Sequence, residues 1–223
     1  MDIRESLVAK IMNADRAGAG ALLVEWGWQN GYRKLLPEVL EPVLREIGEL
    51  WTAPDGISLA QAYIAAKVAE DVIGKIGDIV ADPGSDPVES RGPVVIGNIE
   101  DDFHALGRRM VGTFLRTDGW DVHDMGNDVP AADLVDQAVA VGAKVIGVSA
   151  MMRTTAENIP AVRAELDRRG LTGKIQLAVG GAVFVLRPEL VEEVGGDGTA
   201  ANALAAPALF EKLARRACGE ESE

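Results

Sequence analysis

The sequence predicts an α/β protein in which an N-terminal four-helix bundle is followed by a doubly wound sheet of parallel strands. Three observations carry that prediction. Hydrophobic residues make up 48% of the 223 positions and aromatics only 4%, a balance that suits helices and buried parallel strands better than an all-β sandwich. Over residues 1–81 the apolar side chains recur every three or four positions, as on a helix face. From 94 to 223 short β-branched runs alternate with helical patterns, the rhythm of an open parallel sheet with helices on both faces. The stretch between them, 82–93, reads as a linker, with three prolines and two glycines and little to bury.

In the first domain, Ile3 to Met12 is amphipathic, and Ala17 to Trp28 is a small-residue helix. Val39, Leu40, Val43, Leu44, Ile47, Leu50 and Trp51 line one side of a third helix, in which Pro42 marks either a kink or the first turn. Ala53-Pro54-Asp55-Gly56 is a turn, and Ser58 is placed to cap a long Ala-rich helix towards Val80. Four helices on short connections make a small antiparallel bundle, with Trp26, Trp28 and Trp51 as core or interface packing.

The second domain reads strand (Val94 to Ile99), helix (His104 to Thr117), strand (Trp120 to Met125) and helix opened by Pro130. A third strand follows (Lys144 to Ala150), a third helix (Ala156 to Arg169) and a fourth strand (Ile175 to Val179) running into Gly180-Gly181. A short helix (Pro188 to Val194), a short edge strand (Gly198 to Ala200) and a last helix (Ala203 to Ala217) complete it. Ligands of such sheets sit outside the carboxyl ends of the strands. His104, Ser149 and the Gly180-Gly181 pair all follow strands at that edge.

Composition narrows the function. A formal net charge of −13 argues against nucleic-acid binding, which needs a basic face. Arg108-Arg109 and Arg168-Arg169 read as helix-surface charges. The single cysteine, Cys218, fits a reducing compartment and rules out a cysteine-rich zinc site. With neither a secretory signal nor an apolar run of membrane-spanning length, the expectation is a soluble, cytoplasmic protein that binds no membrane. Nothing matches a Ser-His-Asp triad, a phosphate-binding Gly-Lys loop or a paired-carboxylate hydrolase site.

The chemistry-bearing stretch is Asp102-Phe103-His104-Ala105-Leu106-Gly107. A neutral imidazole is a good ligand for a transition metal, and a carboxylate on its other ring nitrogen fixes the tautomer. His123, two residues after Asp121, reads as a structural histidine. Glu100 and Asp101 read as solvated neighbours.

Asp102-x-His104-x-x-Gly107, then Ser149-x-Met151, then Gly180-Gly181 resembles the signature of the cobalamin-binding domain. In that family an Asp-x-His-x-x-Gly motif is followed after about 41 residues by Ser-x-Leu and then by Gly-Gly. Here 41 residues (108–148) separate Gly107 from Ser149, and 28 (152–179) separate Met151 from Gly180. Ile47-Gly48-Glu49-Leu50-Trp51 with Ile57-Ser58-Leu59-Ala60 is similar to the helical cap of corrinoid proteins of the methionine-synthase type. The resemblance implies a cobalamin held with its lower base displaced, His104 on cobalt and Asp102 on the distal ring nitrogen. Thr155 falls where the family places a hydroxyl that completes this triad. Ser149 is implied as a contact of the displaced base, Gly107, Gly180 and Gly181 as room for the buried tail, and Trp51 as the residue over the reactive face.

The implied role is a methyl-carrying corrinoid subunit of a methyltransferase system rather than a stand-alone enzyme. Its implied partners are donor-side and acceptor-side methyltransferase subunits, with a reductive activator and a homo-oligomer left open. The alternative is a cobalamin-dependent sensor, and a flavodoxin-like receiver without metal is the third class. Ala105, Arg108 and Arg109 depart from the Asp, Lys and Asn usual in methyl carriers. Thr52 and Ala62-Tyr63 stand where a light-sensing relative needs a second cobalt-binding histidine and a Glu-His pair.

Overall fold

The computed structural model describes residues 2–52, 57–80 and 90–219. They belong to two compact units, Met1–Ser85 and Asp86–Glu223, each with its own buried core. Most of the linker stretch, 82–89, lies outside the described residues.

In the first unit, α1 (Ile3–Met12) is followed by α2 (Arg16–Asn30), whose N-terminus is capped by Asp15 accepting from the Gly18 N–H at 2.8 Å. A continuous helical run then consists of α3 (Tyr32–Leu35), a π-helical turn (Leu36–Leu40) and α4 (Glu41–Thr52). Pro42 lies in the first turn of α4, inside the continuous run. The irregularity lies in the turn before it, where Glu41 N–H bonds the Leu36 carbonyl five residues back. Proline has no N–H to offer the carbonyl four residues behind it. That carbonyl, of Glu38, accepts instead from Arg4 Nε at 2.8 Å.

α5 (Leu59–Val80) begins with a reciprocal cap. Ser58 Oγ accepts from Gln61 N–H at 3.3 Å while Gln61 Oε1 accepts from Ser58 N–H at 2.8 Å. Leu7, Ile11, Leu23, Leu36, Leu40 and Val68 form the fully buried centre of this unit. Trp28 is not part of that core, being 80% exposed.

The second unit runs β1 (Gly92–Asn98), α6 (Ala105–Thr117), β2 (Trp120–Asp124), α7 (Ala131–Val141) and β3 (Val145–Ser149). It continues α8 (Arg153–Ala156), α9 (Pro160–Arg168), β4 (Gln176–Gly180), α10 (Ala182–Leu186), α11 (Leu190–Glu193) and α12 (Ala206–Ala217). The strands form one parallel sheet in the order β2-β1-β3-β4. Alternation along β1 sends Val95 to one face and Val94 and Ile96 to the other. Leu134, Val135, Val162 and Leu166, from α7 and α9, join the Val95 face. Leu115 of α6 and Phe210 and Leu213 of α12 join the Val94 face. The sheet is therefore doubly wound, as its sequence rhythm predicts.

Three details differ from the sequence reading. The third helix is divided, because Pro160 cannot bond the Ala156 carbonyl, which accepts from Ile159 N–H instead at 3.0 Å. The short α10 after Gly181 has no counterpart in that reading. In place of an edge strand at Gly198 there is a single bridge to Ala178. Beside it, Asp197 Oδ2 accepts from the Leu177 N–H at 2.6 Å, so a side chain fills a position that a fifth strand would take.

Gly147 shows how tightly α12 seats on the sheet. A Cβ there would stand 2.7 Å from Phe210 Cζ, a clash that only glycine avoids. Phe210 also meets Trp120 edge to face at 6.4 Å between ring centroids. Phe210→Ala is expected to destabilise the Asp86–Glu223 unit by ~3–5 kcal/mol, read as a lower urea midpoint followed by the near-UV signal of Trp120.

Candidate functional site

The carboxyl edge of the sheet is set by strand register. Asn98, Ser149 and Gly180 are direct partners across β1, β3 and β4, so they form one row at that edge. After Ile99 the chain reverses through Asp101, whose φ of 68° is left-handed, a conformation that Asp tolerates better than most residues. Asp101 N–H donates to Asp128 Oδ1 at 2.8 Å, and Asp128 N–H to the Asp102 carbonyl at 3.1 Å. These bonds fasten the reversal to the β2–α7 loop and turn the Asp102 side chain inward.

Asp102 is completely buried. Its Oδ1 accepts from Asn98 Nδ2 at 2.8 Å and from the His104 N–H at 2.9 Å, and lies 3.3 Å from His104 Nδ1. Its Oδ2 accepts from the Met151 N–H at 2.7 Å and from Thr155 Oγ1 at 2.9 Å. Burial alone would raise this carboxyl. The bonds from Met151, His104, Thr155 and Asn98 outweigh it and hold the group below the usual aspartate value of 3.8.

His104 occupies the N-cap position of α6 without capping the helix through its side chain. The ring is 46% exposed, and its Nδ1 side faces Asp102. Among the described residues there is no cluster of three or more His, Cys, Asp or Glu that could hold a metal ion. His104 is thus a single nitrogen donor, suited to a metal that brings its other ligands with it.

The glycines differ in what they do. A Cβ on Gly107 or Gly180 would meet nothing within 4 Å, so both border open space. Gly181, at φ 115°, is required by the chain itself: a Cβ there would stand 2.0 Å from the Ala150 carbonyl oxygen. Ser149 is half-buried, and its carbonyl accepts from the Ile99 N–H at 3.1 Å. Phe103, Met151, Met152, Val185 and Leu186 add exposed apolar side chains from the loops and α10 that follow the strands. Trp51 lies on α4, but its side chain falls outside the described residues.

Asp102, His104 and Thr155 therefore meet, as the family resemblance implies. Two members of the same network are absent from the sequence reading. Asn98 is fully buried behind Asp102, and Arg108 is not a surface charge but only 7% exposed. Arg108 Nε donates to Asn98 Oδ1 at 2.8 Å and Nη2 to Asn127 Oδ1 at 3.1 Å, while Nη1 is ion-paired with Asp124. The signals were present: a polar residue ends an apolar strand, and Arg108 is helically in phase with Gly112 and Leu115 on the inner face of α6. His123 bonds Asp121 through Nε2 at 3.1 Å and faces Gln137 through Nδ1 at 3.4 Å, away from this network.

Comparison with known proteins agrees with this geometry. Residues 92–208 match the family model described as the B12 binding domain. A dimethylamine corrinoid protein 2 of Methanosarcina mazei is 31% identical over 211 residues, 94% of this chain and 90% of that protein. A dimethylamine corrinoid protein of Methanosarcina barkeri is 37% identical over 122 residues, covering 55% of this chain and 56% of that one. Among solved structures, a monomethylamine corrinoid protein of Methanosarcina barkeri superposes with a TM-score of 0.77 at 24% identity, covering 95% of this chain and 98% of that one. A methanol:cobalamin methyltransferase complex from the same organism gives 0.52 at 22% identity, over 93% of this chain and 78% of the matched one, a likeness of fold. No helix among the described residues is long and apolar enough to cross a membrane.

The lowered Asp102 value has a definite sign in stability. Its contribution is complete above the unfolded value and is lost as pH falls through the folded one, into the range below 3.8. Asp102→Asn replaces an acceptor oxygen with a donor among obligate donors, and is expected to destabilise the unit by ~1–3 kcal/mol at neutral pH. The loss should shrink as the pH of a urea titration series is lowered towards 3.

Proposed function

The chain belongs to the B12-binding family and its cofactor is a cobalamin, and from that premise we propose that it is the methyl-carrying corrinoid subunit of a methyltransferase system. The single observation that carries the reading is the held pair Asp102–His104 at the carboxyl edge of the sheet, with open space beside Gly107 and Gly180. When bound, cobalamin supplies a cobalt centre that can accept a methyl group and give it up again.

The residues present fit that group. The Asp102 carboxylate can only accept, so its contact with Nδ1 would favour the Nδ1–H tautomer of His104 and leave the Nε2 lone pair for the cobalt. Thr155 holds the other carboxylate oxygen and prevents the pair from rotating. Gly107 and Gly180 leave room for the nucleotide tail, and Gly181 turns the chain into α10 beside it. Ser149, at the centre of the register row, would contact the displaced base, a role assigned on the family resemblance. Trp51 is assigned to the upper face on the family resemblance.

A carrier needs partners on both sides of the transfer. We assign it a donor-side methyltransferase, with methylated amines as the donor class because the relatives that match most of the chain are named for dimethylamine. An acceptor-side methyltransferase and a reductive activator complete the set.

Two measurements test the proposal. Protein reconstituted with cobalamin and labelled with 15N-histidine should show nitrogen splitting from the protein in the EPR spectrum of the one-electron-reduced cofactor, and His104→Ala should lose it. Splitting from the dimethylbenzimidazole nitrogen in both proteins would remove His104 as ligand. Separately, the reduced holoprotein should turn over methylamine-derived methyl groups with a matching methyltransferase. Cobalamin binding without any methyl transfer, together with a ligand- or light-dependent change in partner binding, would place the protein among sensors.

A further inference from the structure

The buried Arg108 is the least expected side chain in this unit. A guanidinium taken out of water is strongly disfavoured unless its donors are matched. Here Nε donates to Asn98 and Nη2 to Asn127, and Nη1 is ion-paired with Asp124 without a hydrogen bond of its own. Asp124 and Asn127 belong to the end of β2 and the loop after it, and would suffice to anchor α6 to the sheet. The bond to Asn98 is different in kind, because Asn98 leads to Asp102.

Arginine has five donors and no acceptor. Whatever faces Nε must be an oxygen, so the Asn98 amide can present only Oδ1 to Arg108. Its NH2 is thereby turned towards Asp102, where Nδ2 donates to Oδ1 at 2.8 Å. The same oxygen faces His104 Nδ1. We propose that Arg108 is a positioning residue for the cobalamin site: by locking the Asn98 amide with its donor end on Asp102, it fixes the Asp102 carboxylate and through it the orientation and tautomer of the His104 ring.

The alternative orientation makes the constraint visible. A reversed Asn98 amide would point Oδ1 at an anionic carboxylate and NH2 at a cation. Both contacts would turn repulsive in a site where Asn98 and Asp102 are buried from solvent. With Arg108 in place the reversal is closed. Without it, the amide is free to turn, and Asp102 loses a donor on the oxygen that holds the imidazole. This role rests on the reading of His104 as the axial ligand, but the geometry it describes exists in the protein without cobalamin.

The experiment therefore uses the full-length chain free of cofactor. Long-range proton–nitrogen correlation spectra report the tautomer of each histidine ring, with His123 as internal comparison and His104→Ala for assignment. In the unaltered protein His104 is expected as the Nδ1–H tautomer. Arg108→Met and Asn98→Ala should each raise the Nε2–H share by about fivefold, the effect of losing one hydrogen bond of ordinary strength. The double variant should go no further than either single one. Asp124→Asn loosens only the anchoring contact, so it should lower the melting temperature and leave the tautomer unchanged.

Should Arg108→Met fail to fold, Arg108→Lys serves in its place, since it keeps the charge and loses the planar fork. It is expected to fall between the unaltered protein and Asn98→Ala. In cobalamin-loaded protein the same variants should reduce the histidine-ligated fraction in the order of their tautomer shifts. A tautomer in Arg108→Met or Arg108→Lys identical to the unaltered protein, with only stability lowered, overturns the proposal and leaves Arg108 as an anchor of α6. Failure of the ligand assignment is read separately, as the absence of protein-nitrogen splitting, and does not alter the tautomer result.

Discussion

The carboxylate of Asp102 is the constraint around which the second unit is arranged. An ionised group with no solvent exposure is costly unless every lone pair has a donor. The donors come from four separate places: Asn98 at the end of β1, the His104 amide at the start of α6, the Met151 amide after β3 and Thr155 in α8. None of these can shift without uncovering a buried charge. The carboxylate thus welds together the loops after β1 and β3, the central strands of the sheet, and these are the loops that a ligand at the carboxyl edge must meet.

Much of this was legible in the sequence, for reasons that differ between elements. The parallel sheet shows because strands buried on both faces read as unbroken apolar runs, as in Val94-Val95-Ile96. Asp102, His104 and Thr155 were singled out by the family resemblance of the motif rather than by composition or periodicity, which give no sign that Thr155 approaches Asp102. The π-turn before Pro42 was hidden because its resolution depends on Arg4, which reaches the Glu38 carbonyl from another helix. The division of the third helix was readable in principle from Pro160. The fourth-strand edge was misjudged because backbone pairing there stops after Asp197 and Gly198, and the Asp197 side chain takes the Leu177 N–H.

Arg108 is the instructive failure. An Arg-Arg pair on an amphipathic helix looks like a solvated face, and charged residues are seldom fully buried unless paired. Only the phase of the helix, with Gly112 and Leu115 turned inward, separates Arg108 from its exposed neighbour Arg109. Gly112 matters here because a Cβ on it would stand 2.9 Å from Ile96 Cδ1, so α6 lies close against β1 and its first turn has no outward route for the side chain at 108. Close packing at one end of a helix thus determines burial of charge at the other.

The arrangement also sets which parts of the site are rigid and which are not. The donors to Asp102 are two backbone amides, an amide side chain held by a guanidinium and a threonine hydroxyl on a helix, all on regular or tightly bonded elements. Sites supported in this way reorganise little. His104 is the exception, half-exposed and bonded through one long contact at 3.3 Å. The imidazole is therefore the least constrained member of the network, while the carboxylate behind it is held from four sides. In its proposed role as cobalt ligand, His104 would be free to adjust while the anchor behind it stayed in place. A carboxylate differs from a neutral acceptor in strength, because its bond to a protonated imidazole is reinforced by charge.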